Sequence, residues 1–366
     1  MKILRALVCV GLAAAISSSA VFAAEEDYTF YDSNDLRGSW TKREEGIGQS
    51  VAPVLGYEPT YRFVYGAAYF IQSPKFSLSV DVNTNIKKVY QGHLNVHQEF
   101  GKAWYWDLHT GVTRGYQPYY GSNGDTKVSD FVRLWGTQSE SKVQLGHRLS
   151  PIFAVGLFVD GRSRTEELGE ESPKTQVAPN ESSVGVGLFQ EIDTRDNKDS
   201  PRDGFVFRTD LSYMPTKFST ASSSNFGQVQ GDFIVYKEIL NQVVSDVVAA
   251  FQLSAGTSFG DPTFAYEYKL GGANKLRGYL ENRFRGRAYY LQQTELRFPI
   301  WKLFSGAAFI GFGDTAEKGG GFTNAKMTYG IGLRIGLPPD WISKIRIDYG
   351  VGQDQGGIFA NFGHTF

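Results

Sequence analysis

Cysteine is nearly absent from this sequence, whose 366 residues contain only Cys9. That residue lies in an apolar run near the amino terminus and lacks the small-residue flank that a lipoprotein site would need. A chain processed beyond Cys9 contains no cysteine, which excludes a disulfide framework as a source of stability.

Long apolar runs are also absent from the later part of the chain. No stretch there approaches the roughly 18 uninterrupted apolar residues of a membrane-spanning helix. This does not exclude a membrane, because a transmembrane barrel crosses with strands whose inward side chains are polar. The 27 Phe, 20 Tyr, 6 Trp and 42 Gly, with a mean hydropathy of −0.28, are typical of such a barrel.

The amino terminus has the pattern of a secretory signal peptide. Lys2 and Arg5 precede the apolar run 6–16, and a Val-Phe-Ala site ends at Ala23, which predicts a signal peptide over residues 1–23. Without Lys2 and Arg5 the 37 basic residues become 35 against 38 acidic ones, so nothing favours a nucleic-acid partner.

The rest of the chain has no composition break that would separate two domains. Residues 24–49 are charged and aperiodic, and we interpret them as a short periplasmic leader. Residues 50–366 are expected to form one β-domain.

Alternating apolar and polar residues are the main structural signal. In the stretch 76–83, and again in 205–213 and 344–349, one face is apolar and the other polar. This pattern predicts an all-β fold and fits either a soluble sandwich with one wet face or an outer-membrane barrel. The signal peptide favours the barrel.

Sixteen strand-length segments can be counted, an even number as in closed bacterial barrels. They are 50–57, 61–72, 75–86, 88–100, 102–113, 129–149, 151–161, 182–193, 204–213, 226–238, 245–257, 286–300, 303–313, 325–337, 342–351 and 356–366. With the amino terminus in the periplasm, nearly all of the long connections fall on the extracellular side. The long connection 194–203 is the periplasmic exception.

The last segment ends on an aromatic residue. Phe362, His364 and Phe366 are expected to share one face of a final strand. Such an ending resembles the signal that outer-membrane barrels present to the barrel assembly machinery, which would be a partner during biogenesis.

Four motifs together resemble the barrel of the BamA/TamA superfamily, the bacterial surface antigen type. They cover roughly residues 50–366 and follow the family's order: Asp193-Thr194-Arg195-Asp196-Asn197 with Pro201-Arg202-Asp203-Gly204; Gly271-Gly272 with Leu276-Arg277-Gly278-Tyr279; Phe312-Gly313-Asp314; and the final Phe366. The resemblance implies a 16-stranded antiparallel transmembrane barrel, integral to the outer membrane, with an inward-folded loop between strands 11 and 12.

The resemblance also assigns a role to the glycine- and arginine-rich stretch Leu270–Gly286. In the family, the arginine at the loop tip meets an aromatic and an aspartate on the wall of the thirteenth strand. Carried over, Arg277 would pair with Asp314 beside Phe312, with Asp348 as a second inward carboxylate. A guanidinium held between carboxylates away from water gains strong hydrogen bonds. The alternative is a basic extracellular loop in solvent.

Two further groups of polar residues invite a chemical interpretation. Asp193, Arg195, Asp196 and Asn197 suggest an acid/base pair or a cation site, but bonds to neighbouring backbone in a turn ended by Pro201 and Gly204 are favoured. His93 and His97 share a strand face at roughly 13 Å, too far apart for one metal ion. We expect no catalytic residues, metal or cofactor.

The sequence departs from the insertases and secretion transporters of the family in one respect. The span 24–49 is too short for the periplasmic POTRA domains that precede their barrels, so the chain resembles barrel-only members. The family implies assistance of protein insertion, secretion or lipid movement, with an unidentified client protein or lipid and the outer-membrane lipid as partners. A passive porin and a surface adhesin or structural barrel are the alternatives.

The first strand suggests a weak closing seam. It contains Pro53 and is followed by Pro59, and proline contributes no amide to the strand ladder. In the family the first strand meets the last at a seam that opens sideways, which leads to the hypothesis of a lateral gate between residues 51–57 and 356–366.

Overall fold

The computed structural model describes residues 48–366 except 123, 169–172, 174–175, 199, 221–224, 241–245, 318–320, 337–343 and 363–364. The predicted signal peptide and the predicted leader up to residue 47 lie outside the described residues. Helical structure in the described part is limited to three single 3-10 turns, at Val128–Asp130, Thr216–Phe218 and Phe264–Tyr266. No helix there is long and apolar enough to cross a membrane.

Eighteen strands form in the described residues. They are β1 (Gly48–Glu58), β2 (Arg62–Ser73), β3 (Phe76–Asn85), β4 (Tyr90–Phe100), β5 (Trp104–Tyr119), β6 (Val132–Ser150), β7 (Phe153–Glu166), β8 (Glu181–Asp193), β9 (Gly204–Met214), β10 (Phe226–Ile239), β11 (Val247–Phe259), β12 (Tyr268–Leu270), β13 (Phe284–Gly286), β14 (Ala288–Trp301), β15 (Phe304–Ala316), β16 (Lys326–Gly336), β17 (Lys344–Gly352) and β18 (Gly356–Phe362).

Sixteen of these strands close into one antiparallel barrel. Each strand pairs with its neighbour in the chain, β11 pairs with β14, and β1 pairs with β18 to close the ring. The short strands β12 and β13 form a separate two-stranded ribbon in the connection between β11 and β14. The predicted all-β, 16-stranded antiparallel barrel is therefore confirmed.

Side chains alternate between a polar inner face and an apolar outer face, as the strand geometry requires. On β16 and β17 the outward Tyr329, Ile331 and Tyr349 are more than half exposed, whereas Arg334 and Asp348 are completely buried. Apolar side chains outside and charges inside reverse the arrangement of a soluble protein. This pattern fits a barrel surrounded by lipid.

The ends of some strands differ from the expected ones. β5 extends to Tyr119 rather than residue 113, because its ladder with β6 continues to the Tyr119–Val132 pair. β18 ends at Phe362 rather than at Phe366. Thr365 and Phe366 lie beyond that strand and bond to residues of other strands.

The closing seam between β1 and β18 is weakly paired in the described residues. Its register aligns Tyr57 with Ala360 and no further described pair. By contrast, β1 is aligned with β2 from Gly48–Gln72 to Glu58–Arg62. Among the described residues, the seam therefore has fewer aligned residue pairs than any other pair of neighbouring barrel strands.

Candidate functional site

The stretch Leu270–Gly286, here called the arginine segment, is buried rather than exposed. Arg277, Arg283 and Arg285 are each at most 1% exposed. The alternative of a basic loop in solvent therefore does not describe these side chains.

An apolar cluster holds the arginine segment against the inner face of β14. The segment is fastened at its base by the ribbon pairs from Tyr268–Gly286 to Leu270–Phe284. The buried members of the cluster are Leu270, Leu276, Tyr279, Phe284, Tyr289 and Leu291. Tyr279 and Phe284 also meet edge to face, with ring centroids 5.0 Å apart.

The tip of the segment lies directly on the backbone of β17. Gly278 has φ +120°, and a Cβ at this position would lie 2.8 Å from the Val351 nitrogen. A Cβ on the facing Gly350 would lie 2.6 Å from the Arg277 carbonyl oxygen. Both positions therefore require glycine for this approach. The same carbonyl accepts a hydrogen bond from the Thr328 hydroxyl.

The Arg277 side chain binds two carboxylates. Its Nη1 donates to Glu295 Oε2 at 2.6 Å and to Asp348 Oδ2 at 2.9 Å. Its guanidinium carbon also lies 3.6 Å from the ring centroid of Phe309, close enough for a cation–π contact. All three groups reach the arginine from the inner faces of different strands.

Three further arginines, Arg297, Arg334 and Arg346, surround the same two carboxylates. Together with Arg277, Glu295 and Asp348 they form what we call the arginine cluster. Arg334 bridges the same two carboxylates as Arg277. Arg297 Nε lies 2.9 Å from Glu295 Oε1, and Arg346 Nε lies 3.7 Å from Asp348 Oδ2. Arg334 and Arg346 are directly opposite in the ladder, where like charges repel unless carboxylates separate them.

The charge of Arg277 follows from this setting. Burial alone would lower its pKa, but the carboxylates of Glu295 and Asp348 outweigh burial and raise the pKa above its usual value. The guanidinium therefore remains protonated inside the protein. Removal of one partner would leave an uncompensated buried charge.

The predicted partners of Arg277 are met only in part. Asp348 contacts Arg277, whereas Phe312 and Asp314 do not. Asp314 instead accepts bonds from the main-chain nitrogens of Thr315 at 2.9 Å and Asn324 at 3.0 Å. The assignment of Phe312 and Asp314 was wrong because residues alternate on a strand, so these two face away from the side that carries Phe309.

Glu295, Phe309 and Arg334 were missed from the sequence. A signal exists for Glu295, since Glu295 and Arg297 alternate with Leu296 and Phe298 as inward residues should. The strand register places Phe309 on the same face as Glu295, because Glu295 on β14 is aligned with Phe309 on β15 and aligned residues share a face.

The other arginines in and next to the arginine segment bond to residues outside the arginine cluster. Arg283 donates to the Thr126 hydroxyl and carbonyl, both at 2.6 Å. Arg285 donates to Glu267 Oε2 at 3.1 Å. Arg287, just after the segment, is one-third exposed and pairs with the exposed Asp261. Thus only Arg277 reaches the centre of the arginine cluster.

The connection between β8 and β9 contains the second motif. Asp193 accepts bonds from the Arg195 backbone and side chain. Asp196 Oδ1 accepts three main-chain bonds, from residues 197, 202 and 203, and Asn197 Oδ1 accepts one from Ser200. Gly204 adopts φ +106° at the start of β9. Pro201 precedes it in the same turn.

The histidines near the start of the barrel have carboxylate partners. His93 Nδ1 lies 3.0 Å from Asp81 Oδ2, and His97 Nδ1 lies 2.5 Å from Asp107 Oδ1. Each histidine is therefore oriented by its own aspartate across the strand ladder.

Phe366 does not occupy the final strand. Its ring packs against the inward apolar cluster of Val206, Ile234, Tyr236, Val248 and Ala250. Its main-chain oxygen accepts a bond from Arg297 Nη2 at 2.7 Å, and Thr365 Oγ1 accepts one from Arg346 Nη1 at 2.7 Å. The expectation that Phe366 shares a strand face with Phe362 is therefore wrong, because Phe366 lies outside the final strand.

Comparisons with known proteins agree on the fold. Residues 77–366 match the model of the Omp85 superfamily domain. BamA from Haemophilus ducreyi lacking POTRA domains 1–3 is similar in structure, with 13% identity, a TM-score of 0.60, and coverage of 87% of this chain and 70% of that one. CdiB from Acinetobacter baumannii has 10% identity and a TM-score of 0.56, with coverage of 87% of this chain and 65% of that one. CdiB from Escherichia coli has 11% identity and a TM-score of 0.59, with coverage of 88% of this chain and 68% of that one. No curated protein matches.

Proposed function

Because the chain belongs to the Omp85 superfamily and is an integral outer-membrane barrel, we propose that it assists protein insertion, protein secretion or lipid movement at the outer membrane. In this proposal the barrel works through its wall at the seam between β1 and β18 rather than through its lumen. The single described register pair at that seam, Tyr57–Ala360, carries the proposal.

The arginine segment is the proposed plug of the lumen, folded inward between β11 and β14. Its three most buried arginines and the contacts of Arg277 with the inner faces of β14 and β17 support this role. A lumen filled in this way conducts little, which favours transfer through the wall over passage through a pore.

Pro53 and the short ladder support the seam as the opening. Pro53 lies within β1 and contributes no amide hydrogen to either neighbour. A segment with few ladder bonds has a small free energy of local opening. The edges of β1 and β18 exposed by such an opening would offer unpaired backbone groups to a client strand.

Reconstitution into liposomes tests the proposed function. The purified protein is incorporated alone, and the rate at which an unfolded outer-membrane protein inserts is compared with that in protein-free liposomes. We expect faster insertion with the protein present. An equal rate would leave insertion without support, and lipid transfer between leaflets would then be measured in the same vesicles.

Passive conduction is the alternative from the transport class. It predicts high conductance for the intact protein in planar bilayers. The buried arginine segment argues against it, and the conductance of the unmodified protein decides between the two.

A further inference from the structure

The arginine segment touches both sides of the β1–β18 seam at one end of the barrel. The main-chain nitrogen of Leu280 donates to Gln355 Oε1 at 2.9 Å, and that of the next residue, Glu281, donates to Thr60 Oγ1 at 2.9 Å. Thr60 lies in the turn that follows β1, and Gln355 lies in the turn that precedes β18. Two consecutive amides therefore bond to the two flanks of the seam.

Both turns are held in place by other contacts. The Thr60 carbonyl accepts a bond from the Tyr116 hydroxyl at 2.7 Å, and the Gln355 carbonyl accepts one from the Gly352 nitrogen at 2.8 Å. A Cβ on Gly357, in β18, would clash with the Pro59 ring, so the first turn also packs closely on the last strand. The main chains that carry the two acceptors are thus held in place.

The other end of the seam is held by Thr365 and Phe366. Arg297 and Arg346 donate to these two residues, and Thr365 Oγ1 lies 3.4 Å from the Glu295 carboxylate that also binds Arg277. The Phe366 ring packs on inward residues of β9, β10 and β11, which are five to seven strands away from β18 in the ring. Thr365 and Phe366 are therefore bound to the same network as the arginine segment.

We infer that the seam is closed mainly by two clamps outside its own ladder. The outer clamp consists of the bonds from Leu280 and Glu281 to Gln355 and Thr60, and the inner clamp consists of Thr365 and Phe366 with Arg297 and Arg346. This inference rests on the proposed function in one respect, since it names the contacts that must break before the seam opens. Thr60 and Gln355 act as positioning residues.

Hydrogen exchange of the full-length protein in detergent or lipid tests the outer clamp. Thr60→Val removes the acceptor of Glu281 and is expected to raise exchange of β1 and β18 near Glu58 and Gly356 about fivefold, the effect of one hydrogen bond. Thr60→Ser keeps a hydroxyl and should restore the original exchange. Thr165→Val, which removes a hydroxyl bond on β7 far from the seam, is the matched control.

The inner clamp is tested in the same experiment. Phe366→Ala is expected to raise exchange of β18 near Asn361 about tenfold, whereas Phe366→Leu, which retains apolar contact, gives a smaller rise. Exchange in Thr60→Val and Phe366→Ala equal to that of the unmodified protein would overturn the inference. Because no client is present, this result is independent of the insertion assay, whose failure would remove the proposed function and leave the clamps.

Discussion

The seam between β1 and β18 and the wall between β5 and β6 are held in different ways. The β5–β6 ladder runs without interruption from Trp104–His147 to Tyr119–Val132, so a long row of paired residues joins these strands. The seam aligns Tyr57 with Ala360 among the described residues and is flanked by contacts of the arginine segment. Opening the β5–β6 wall would break many paired residues at once, whereas opening the seam would break few.

The comparison indicates that the barrel wall should open more easily at the β1–β18 seam than between β5 and β6. The arginine segment is the proposed plug and it also bonds to the seam flanks, so displacement of the segment is expected to affect the seam. The arginine segment also bonds to Thr126 in the connection between β5 and β6, but the long ladder of that wall is expected to keep it closed.

Arg277→Ala is the change expected to have the largest effect. It leaves Glu295 and Asp348 buried beside fewer cations, so we expect a loss of about 3–5 kcal/mol in the free energy of unfolding and a marked rise in single-channel conductance. Urea unfolding and planar-bilayer recording measure the two effects.

Arg287→Ala is the matched control for that change. Arg287 is partly exposed and pairs with the exposed Asp261, so its loss should cost at most about 1 kcal/mol and leave conductance unaltered. Equal conductance in the Arg277 and Arg287 variants would show that the segment does not close the lumen.

Asp348→Asn and Asp314→Asn compare two candidate partners of Arg277. Asp348 is its partner in the structure, and Asp314 is the partner that the family resemblance implies. Loss of the Asp348 charge leaves Arg277 and Arg334 in excess, which should cost about 3 kcal/mol or more. Asp314 accepts bonds from the main-chain nitrogens of Thr315 and Asn324, and an asparagine retains one acceptor there, so a loss of about 1 kcal/mol is expected. Thermal or urea unfolding of the two variants would contradict this assignment if Asp314→Asn were the more damaging.

The difference between these two aspartates also explains how far sequence reasoning reaches. All sixteen barrel strands could be located, and the alternation of Ile345, Ile347 and Tyr349 with charged residues identified Asp348 as inward. β15 has no such contrast, because Phe309 and Phe312 are both apolar although they face opposite sides. Its phase depends on the register with Glu295, which is a tertiary property.

Gly350→Ala should have a smaller effect than loss of the Arg277 charge. The new Cβ would lie 2.6 Å from the Arg277 carbonyl oxygen, so the tip must move while its charges remain. We expect a loss of about 1–3 kcal/mol and a modest rise in conductance.

Gly92→Ala on β4 controls for the loss of a strand glycine. The nearest atoms to a Cβ there are 3.7 Å away, an ordinary contact distance, so stability and conductance should change little. A larger effect at Gly92 than at Gly350 would contradict the close approach of the tip to β17.

A disulfide across the seam gives the most direct test of the central claim, which is that the barrel acts by opening between β1 and β18. Tyr57→Cys with Ala360→Cys places two thiols at aligned positions, and the sequence contains only one other cysteine, Cys9, which can be replaced by serine. The pair Leu108→Cys and Val143→Cys does the same in the β5–β6 wall. In the liposome insertion assay, we predict that oxidation of the seam pair abolishes acceleration, that reduction restores it, and that the wall pair has no effect. Undiminished acceleration with the seam pair fully oxidised would contradict the account.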